Sequence, residues 1–351
     1  MVTEDEAMGR AIALAARGLG TTSPNPVVGC VLLSADGEVV GEGFHAYAGG
    51  PHAEIVALAQ AGDRACGGTA IVTLEPCNHT GRTGPCAEAL LTAGVRRVVI
   101  ALDEPTPKAA GGAATLRSAG VEVATGVRRA EAERGNVAWL TAVRRGRPHV
   151  TWKFAATLDG RSAAADGTSQ WITSEPARAD VHVLRARADA IIAGVGTVLV
   201  DDPHLTVRDP RDGSIAITQP LRVVVDSAGR TPENARVRDA AAPTWIATAA
   251  AVGAGVDGRV DLPEMLTQLY ARGVRGALLE GGPTLAGSFL AGGLVDTVVG
   301  YVAPKLLGAG PSALRDVGVT TIGDAFDLNL IDVARIGPDL RLTATLAGKE
   351  C

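Results

Sequence analysis

Three side chains of the softness that zinc prefers stand beside one acid that zinc does not need. Pro51-His52-Ala53-Glu54 is followed by Glu75-Pro76-Cys77 and then by Cys86. A catalytic zinc site takes three imidazole or thiolate ligands and keeps a fourth position open for water. His52, Cys77 and Cys86 are therefore the candidate ligands, and Glu54 is the candidate proton carrier. A structural zinc site normally closes with a fourth Cys or His. His79 lies between the cysteines and is available for that role. An acid two residues after a ligand would then have no purpose, so the catalytic reading is preferred. Both pieces of the pattern sit where a strand or loop feeds a helix, whose positive N-terminus favours thiolate over thiol.

The chemistry follows from the parts. Zinc lowers the pKa of bound water from 15.7 to about 7. That shift of roughly nine units is worth about 12 kcal/mol and outweighs the ~10²–10⁴ expected from general acid–base catalysis alone. A glutamate beside such a water can take its proton, deliver it to a ring nitrogen and help ammonia leave, which is hydrolytic deamination. The common pattern for this chemistry is Pro-Cys-x-x-Cys. Here the eight residues 78–85 separate Cys77 from Cys86, and this insert is a candidate substrate loop.

The 351 residues exceed what one compact core usually spans, so two domains are expected. A net charge of -5 argues against a nucleic-acid partner, because duplex binding needs a basic face. The acidic start, Met1-Val2-Thr3-Glu4-Asp5-Glu6, lacks the basic region of a secretory signal. No run approaches the ~20 apolar residues of a spanning helix. A cytoplasmic protein with no membrane partner is expected. Five cysteines is an odd number and disfavours a disulfide framework. Cys30 reads as core, Cys66 as part of a Gly-rich turn, and Cys351 is terminal.

Periodicity and turn residues predict an α/β chain. In the first half, helices are expected over 4–18, 53–61, 86–93 and 113–119, with strands over 27–33, 39–44, 70–74, 96–102 and 121–123. Arg144-Arg145-Gly146-Arg147-Pro148 is a basic hinge, which divides the chain into domains 1–146 and 147–351. Beyond it, helices are expected over 176–187 and 263–272, and further segments over 150–155, 190–194, 221–226, 244–247, 276–280, 285–291, 295–302 and 341–346. Glycines after 276–280 can bring backbone N–H groups to a phosphate, although Gly-Gly-Pro is also an ordinary turn. No Gly-x-Gly-x-x-Gly follows a strand.

Longer motifs carry a resemblance over nearly the whole chain. Thr21-Thr22-Ser23-Pro24-Asn25-Pro26-Val27-Val28-Gly29 and the stretch from Leu74 to Cys86 resemble the bifunctional riboflavin-biosynthesis deaminase–reductases. So do Lys153-Phe154-Ala155-Ala156-Thr157-Leu158-Asp159-Gly160-Arg161, Ser169-Gln170-Trp171-Ile172-Thr173-Ser174, Val198-Leu199-Val200-Asp201-Asp202-Pro203 and Glu280-Gly281-Gly282-Pro283-Thr284-Leu285. The resemblance implies an N-terminal cytidine-deaminase-like three-layer αβα domain and a C-terminal dihydrofolate-reductase-like α/β domain. It also implies Zn²⁺ and NADPH as cofactors and a phosphorylated pyrimidine as substrate. The first domain would remove the 2-amino group, and the second would reduce the ribosyl arm to a ribityl arm. A homo-oligomer is possible on the same ground.

The resemblance also places residues. Asn25, His45 and Arg82 match positions lining the pyrimidine pocket. Ala155, Trp171, Thr173, Thr197, Asp201 and Ser227 match NADPH-contacting positions, as do Gly282, Pro283, Thr284, Leu285, Ala286, Gly287 and Ser288. Ser169, Arg185, Leu205, Arg208 and Glu280 match substrate positions, and bidentate arginine suits a phosphate. Lys153 and Asp201 are candidates for delivering the proton in the reductive step, and Ser227 and Arg230 for reading the 2′-phosphate. One motif departs: Glu104-Pro105-Thr106-Pro107 stands where the family has Asp-Pro-Asn-Pro.

Overall fold

The computed structural model describes residues 1–80, 84–209 and 212–347. The chain divides into two compact units, Met1–Arg144 and Arg145–Cys351.

The first unit opens with helix α1 (Glu4–Ala15), started by a capping box in which Thr3 and Glu6 satisfy each other's backbone N–H groups. Strands β1 (Gly29–Leu33) and β2 (Val39–Phe44) form a hairpin, followed by α2 (Ala53–Ala61) and β3 (Thr69–Leu74). Then come α3 (Cys86–Thr92), β4 (Arg97–Leu102), α4 (Gly112–Ser118), β5 (Glu122–Thr125), α5 (Arg129–Gly135) and α6 (Val137–Arg145). The sheet order is β2-β1-β3-β4-β5.

Period-two alternation gives this sheet two buried faces. Cys30 and Leu32 of β1 pack with Ala53, Ala57, Ala87, Leu90 and Leu116 of α2, α3 and α4. Val31 and Leu33 pack with Ala7, Met8, Ala11, Trp139 and Leu140 of α1 and α6. The result is helix, sheet, helix in three layers, which positions the N-termini of α2 and α3 on one face.

The second unit contains β6 (His149–Thr157), α7 (Glu175–Arg187), β7 (Ala190–Gly194), α8 (Val195–Asp201), β8 (Leu221–Val225), β9 (Thr244–Ala247), α9 (Ala249–Val252) and α10 (Leu262–Ala271). It continues with β10 (Gly276–Leu279), α11 (Pro283–Ala291), β11 (Thr297–Ala303), β12 (Leu328–Ile336) and β13 (Asp339–Leu346). Its sheet runs β12-β13-β11-β6-β10-β7-β8-β9. The strands from β11 through β9 pair in parallel, and the β12–β13 hairpin is added antiparallel. Asp296, nearly buried, accepts from Arg145, Arg147 and the Val150 N–H, fixing the entry to β6.

Several elements differ from the expectations. The first helix ends at Ala15 and continues as a tighter 3₁₀ turn through Gly18. The segment expected over 285–291 is a helix that starts at Pro283, a residue suited to a first helical turn. The helix α6 runs to Arg145, and Gly146, with φ of 65°, ends it in the left-handed region. Helices α5, α6, α8 and α9 and strand β12 have no counterpart in the sequence reading. The α8 segment is rich in Val, Gly and Thr, poor helix formers that tertiary packing overrides.

Candidate metal centre and nucleotide cavity

His52 is the N-cap of α2, and Cys86 is the first residue of α3. Cys77 lies in the segment between β3 and α3, and its Sγ accepts the Cys86 backbone N–H at 3.4 Å. His52 Nδ1 is 3.2 Å from Cys86 Sγ and 3.5 Å from Cys77 Sγ. The three donor atoms lie within 4.8 Å of one another and form a metal-sized cluster. His79 is not in that group, so among the described residues the cluster has three ligands rather than four. Glu54, 3 % exposed, is in the first turn of α2 beside it.

The donor chemistry fits zinc. Hydrogen bonds from Cys86 and His52 hold the Cys77 thiol down at about 4, while the same contact and burial push Cys86 up. Two thiols this close ionise together only with a cation between them. Hydrogen bonding to Cys77 raises His52. Burial raises Glu54 to about 7, a value at which a carboxylate both takes and gives protons near neutrality.

Asn25 and His45 come to the same place. His45 packs edge-on against His52, with ring centroids 5.6 Å apart. His45 Nδ1 lies 3.0 Å from the Pro51 carbonyl, and Nε2 lies 3.4 Å from Asn25 Nδ2. A neutral ring that donates to Pro51 and accepts from Asn25 meets both contacts, and burial lowers the His45 pKa accordingly. The Asn25 amide oxygen is left free of this contact. Arg82 lies outside the described residues.

Glu75 braces the wall of this site. Its carboxylate accepts from Gly111 and Ala113 through Oε1 and from the Glu104 N–H through Oε2. A Cβ on Gly112 would fall 1.8 Å from the Pro76 carbonyl, so only glycine permits this approach. Glu104 accepts the Thr106 N–H at 2.8 Å, which closes a local turn in the departing motif, and burial raises its pKa.

In the second unit a cavity of about 960 Å³ opens at the carboxyl edge of β6, β10, β7 and β8. Of the sequence-derived positions, Lys153, Ala155, Ser169, Thr197, Asp201, Ser227 and Glu280 line it. Gly282, Pro283, Thr284, Leu285 and Ser288 line it as well. Burial lowers Lys153, against the opposing pull of Glu280, and partial burial raises Asp201.

Other positions lie elsewhere. Ala286 and Gly287 are on the core side of α11, because the helical period turns them inward while Ser288 faces the cavity. Leu205 has its side chain in the core beside Val198 and Val237. Trp171 is 61 % exposed, with the Arg178 guanidinium 4.4 Å above its ring. The Thr173 carbonyl accepts from Arg178. Arg208 lines a smaller cavity of about 380 Å³ with His182 and Arg178. Arg185 is bound to Glu280 and to the Thr206 carbonyl, which leaves little of its fork for an outside phosphate. The sequence reading missed Asp257 and Arg259, which a hairpin closed by an Ala254–Val260 bridge brings to the cavity.

A three-ligand thiolate–imidazole site with a buried acid, followed by a parallel α/β domain with a nucleotide-sized cavity, defines a zinc hydrolase joined to an oxidoreductase. Residues 1–102 match the cytidine and deoxycytidylate deaminase zinc-binding region, and residues 148–342 match the RibD C-terminal domain. Riboflavin biosynthesis protein RibD of Mycobacterium tuberculosis is 48% identical over 340 residues, covering 97% of this chain and 96% of that protein. RibD of Escherichia coli is 43% identical, covering 95% and 97%. The structure of Acinetobacter baumannii RibD aligns with a TM-score of 0.87 at 40% identity, covering 98% and 99%. A diaminohydroxyphosphoribosylaminopyrimidine deaminase/5-amino-6-(5-phosphoribosylamino)uracil reductase from Thermotoga maritima aligns with a TM-score of 0.88 at 33% identity, covering 98% and 99%. The chain belongs to the RibD family of riboflavin-biosynthesis enzymes, with a zinc-binding deaminase domain and an NADPH-using reductase domain.

Proposed function

We propose that the chain deaminates 2,5-diamino-6-(5-phosphoribosylamino)pyrimidin-4-one in residues 1–146. Residues 147–351 then reduce the ribosyl arm to give 5-amino-6-(5-phosphoribitylamino)uracil. The observation that carries the first step is the convergence of His52, Cys77 and Cys86 around buried Glu54. When bound by these three ligands, zinc supplies a polarised water that ionises near neutral pH. Glu54 would take a proton from the attacking water as its oxygen bonds to the carbon bearing the 2-amino group. It passes protons to the ring nitrogen and the departing amine, which leaves as ammonia. Asn25, steadied by His45, offers its amide to the polar edge of the pyrimidine.

For the second step, NADPH supplies the hydride that reduces the opened ribose. The chain contributes alignment and protons. Lys153 and Asp201 line the cavity with titratable groups, and Lys153 is the better enclosed of the two. Glu280, held by Arg185, fixes the carboxylate that faces Lys153. A cytoplasmic location and a homo-oligomer complete the proposal; no helix among the described residues is long and apolar enough to cross a membrane.

A two-stage assay tests the order. The full chain, zinc-loaded, should release ammonia from the diamino-pyrimidinone without NADPH, and should oxidise NADPH only after that release. Turnover of cytidine or guanine in place of this compound would overturn the substrate. Ammonia release with no later NADPH oxidation would make the second unit a binding module.

A further inference from the structure

In the sheet order β13-β11-β6-β10, strand β6 runs between strands that anchor α7 on either side. On one side Asp180 of α7 fastens the helix to β11 and β13. Its Oδ2 accepts the Tyr301 hydroxyl at 2.7 Å, and Arg341 Nη1 donates to its two oxygens at 2.9 Å and 3.2 Å. On the other side Arg185 fastens the helix to Glu280 at the end of β10. Lys153 stands on β6 between these anchors. Its register partner on β11 is Val299, and Tyr301 comes two residues later, so all three project from one face of the sheet. That face is the one α7 covers, where Ala177 and Val181 pack with Val299 and Tyr301.

The ammonium meets a different group on each side. Lys153 Nζ lies 5.9 Å from the centre of the Tyr301 ring, within reach of a cation–π contact. Among the described residues no hydrogen bond or ion pair ties this nitrogen. Burial draws Lys153 towards its neutral form; Glu280 opposes that, and Arg185 adds to it. Both Glu280 oxygens are taken by Arg185, so the pair offers Lys153 little net charge. His182 of α7 faces the same Glu280, and Asp201 lines the cavity from α8. The ring differs from all of these, because its negative face favours the charged amine and carries no net charge. Its hydroxyl donates to a carboxylate, which polarises the ring in the same direction. Burial and the Asp180 contact hold the Tyr301 proton well above the ordinary tyrosine range. Tyr301 is thus a fixed neutral ring and not a second acid.

We propose that Tyr301 is a positioning residue for the reductive step, its anchored ring holding Lys153 at the cavity wall as the ammonium. The inference rests on the reading of Lys153 as the group that delivers the proton. A delivering amine must carry its proton, and burial works against that. The ring offsets part of the burial without adding an anion, which would repel a phosphorylated ligand.

Single-turnover NADPH oxidation by the full chain, followed against pH with the deaminated pyrimidine, reads the ammonium through its alkaline limb. Activity that needs the ammonium is lost as pH rises through the Lys153 pKa, so a weaker ring moves the limb to lower pH. Tyr301→Phe keeps the ring face and loses the Asp180 contact. Trifluorophenylalanine at the same position has nearly the same shape and drains the face of negative charge. The fluorinated variant should move the limb down by about one pH unit, the scale of a desolvated cation–π contact, and Tyr301→Phe by less than about half of that. NADPH binding and the circular dichroism spectrum should match wild type in both. A role in packing alone depends on shape, so coincident limbs for the two variants, or a limb moved upward, would overturn the inference. Lys153→Met tests the reading beneath it and should lose the limb with most of the rate. A wild-type rate and limb from Lys153→Met would remove Lys153 as the proton source, and this role of Tyr301 with it.

Discussion

Arg185 grips Glu280 through two parallel bonds, Nε to Oε1 at 2.6 Å and Nη2 to Oε2 at 3.0 Å, with side-chain exposures of 17% and 9%. The third hand of the guanidinium donates to the Thr206 carbonyl at 2.9 Å. The pair therefore joins α7 to the end of β10 and sets the carboxylate at the cavity wall.

Removing the cation should leave a buried charge behind. Arg185→Met should destabilise the chain by about 3–5 kcal/mol, the usual cost of breaking such a pair from one side. Arg185→Met with Glu280→Gln should recover part of it. Urea unfolding of the single and double variants measures both effects.

The same pair gives a pH dependence with a defined sign. Arg185 and Lys153 hold Glu280 at about 2, below its ordinary 4.5, against the opposing effect of burial. A depressed carboxylate stabilises the fold fully above pH 4.5, and that contribution is lost as pH falls from 4.5 towards 2. The wild-type urea midpoint should drop over this window, and the Arg185→Met, Glu280→Gln variant should drop less. Equal slopes in the two proteins would show that the pair is not responsible.

The zinc motif was legible because two of its three ligands mark helix starts. His52 caps α2 and Cys86 begins α3, so short local patterns carry the site. The nucleotide cavity was only partly legible. Gly282 and Thr284 lie in one run, but Arg259 reaches the cavity through a hairpin whose closing contact leaves no local signature. Ala286 and Gly287 were placed there by the resemblance, and helix geometry turns them to the core. Strand β12 escaped notice because Leu328, Leu330, Ile331 and Val333 are all exposed and a bulge between Leu330 and Asp332 breaks its alternation.

His45 should act through Asn25. His45→Phe keeps the ring's bulk but cannot accept from the Asn25 amide or donate to Pro51. Its KM for the deamination substrate should rise about tenfold, the scale of one lost polar contact, with kcat changed less. Zinc content should stay at the wild-type level. Steady-state kinetics beside metal analysis separates this from damage to the ligand cluster.

Loss of a ligand should behave differently. Cys77→Ala and His52→Ala should each fall well below one zinc per chain by metal analysis, because two remaining donors make a poor site. Ammonia release should fall with the metal content. NADPH binding in the second unit should persist, since no residue of its cavity belongs to the metal cluster.

The most direct measurement is ammonia release from the diamino-pyrimidinone by zinc-loaded wild type and Glu54→Gln, with the zinc content of both determined. Equal zinc with activity reduced at least about 100-fold in Glu54→Gln is the predicted result, the lower bound for losing a general acid–base group. Wild-type rates from Glu54→Gln, or from protein stripped of metal, would contradict the account.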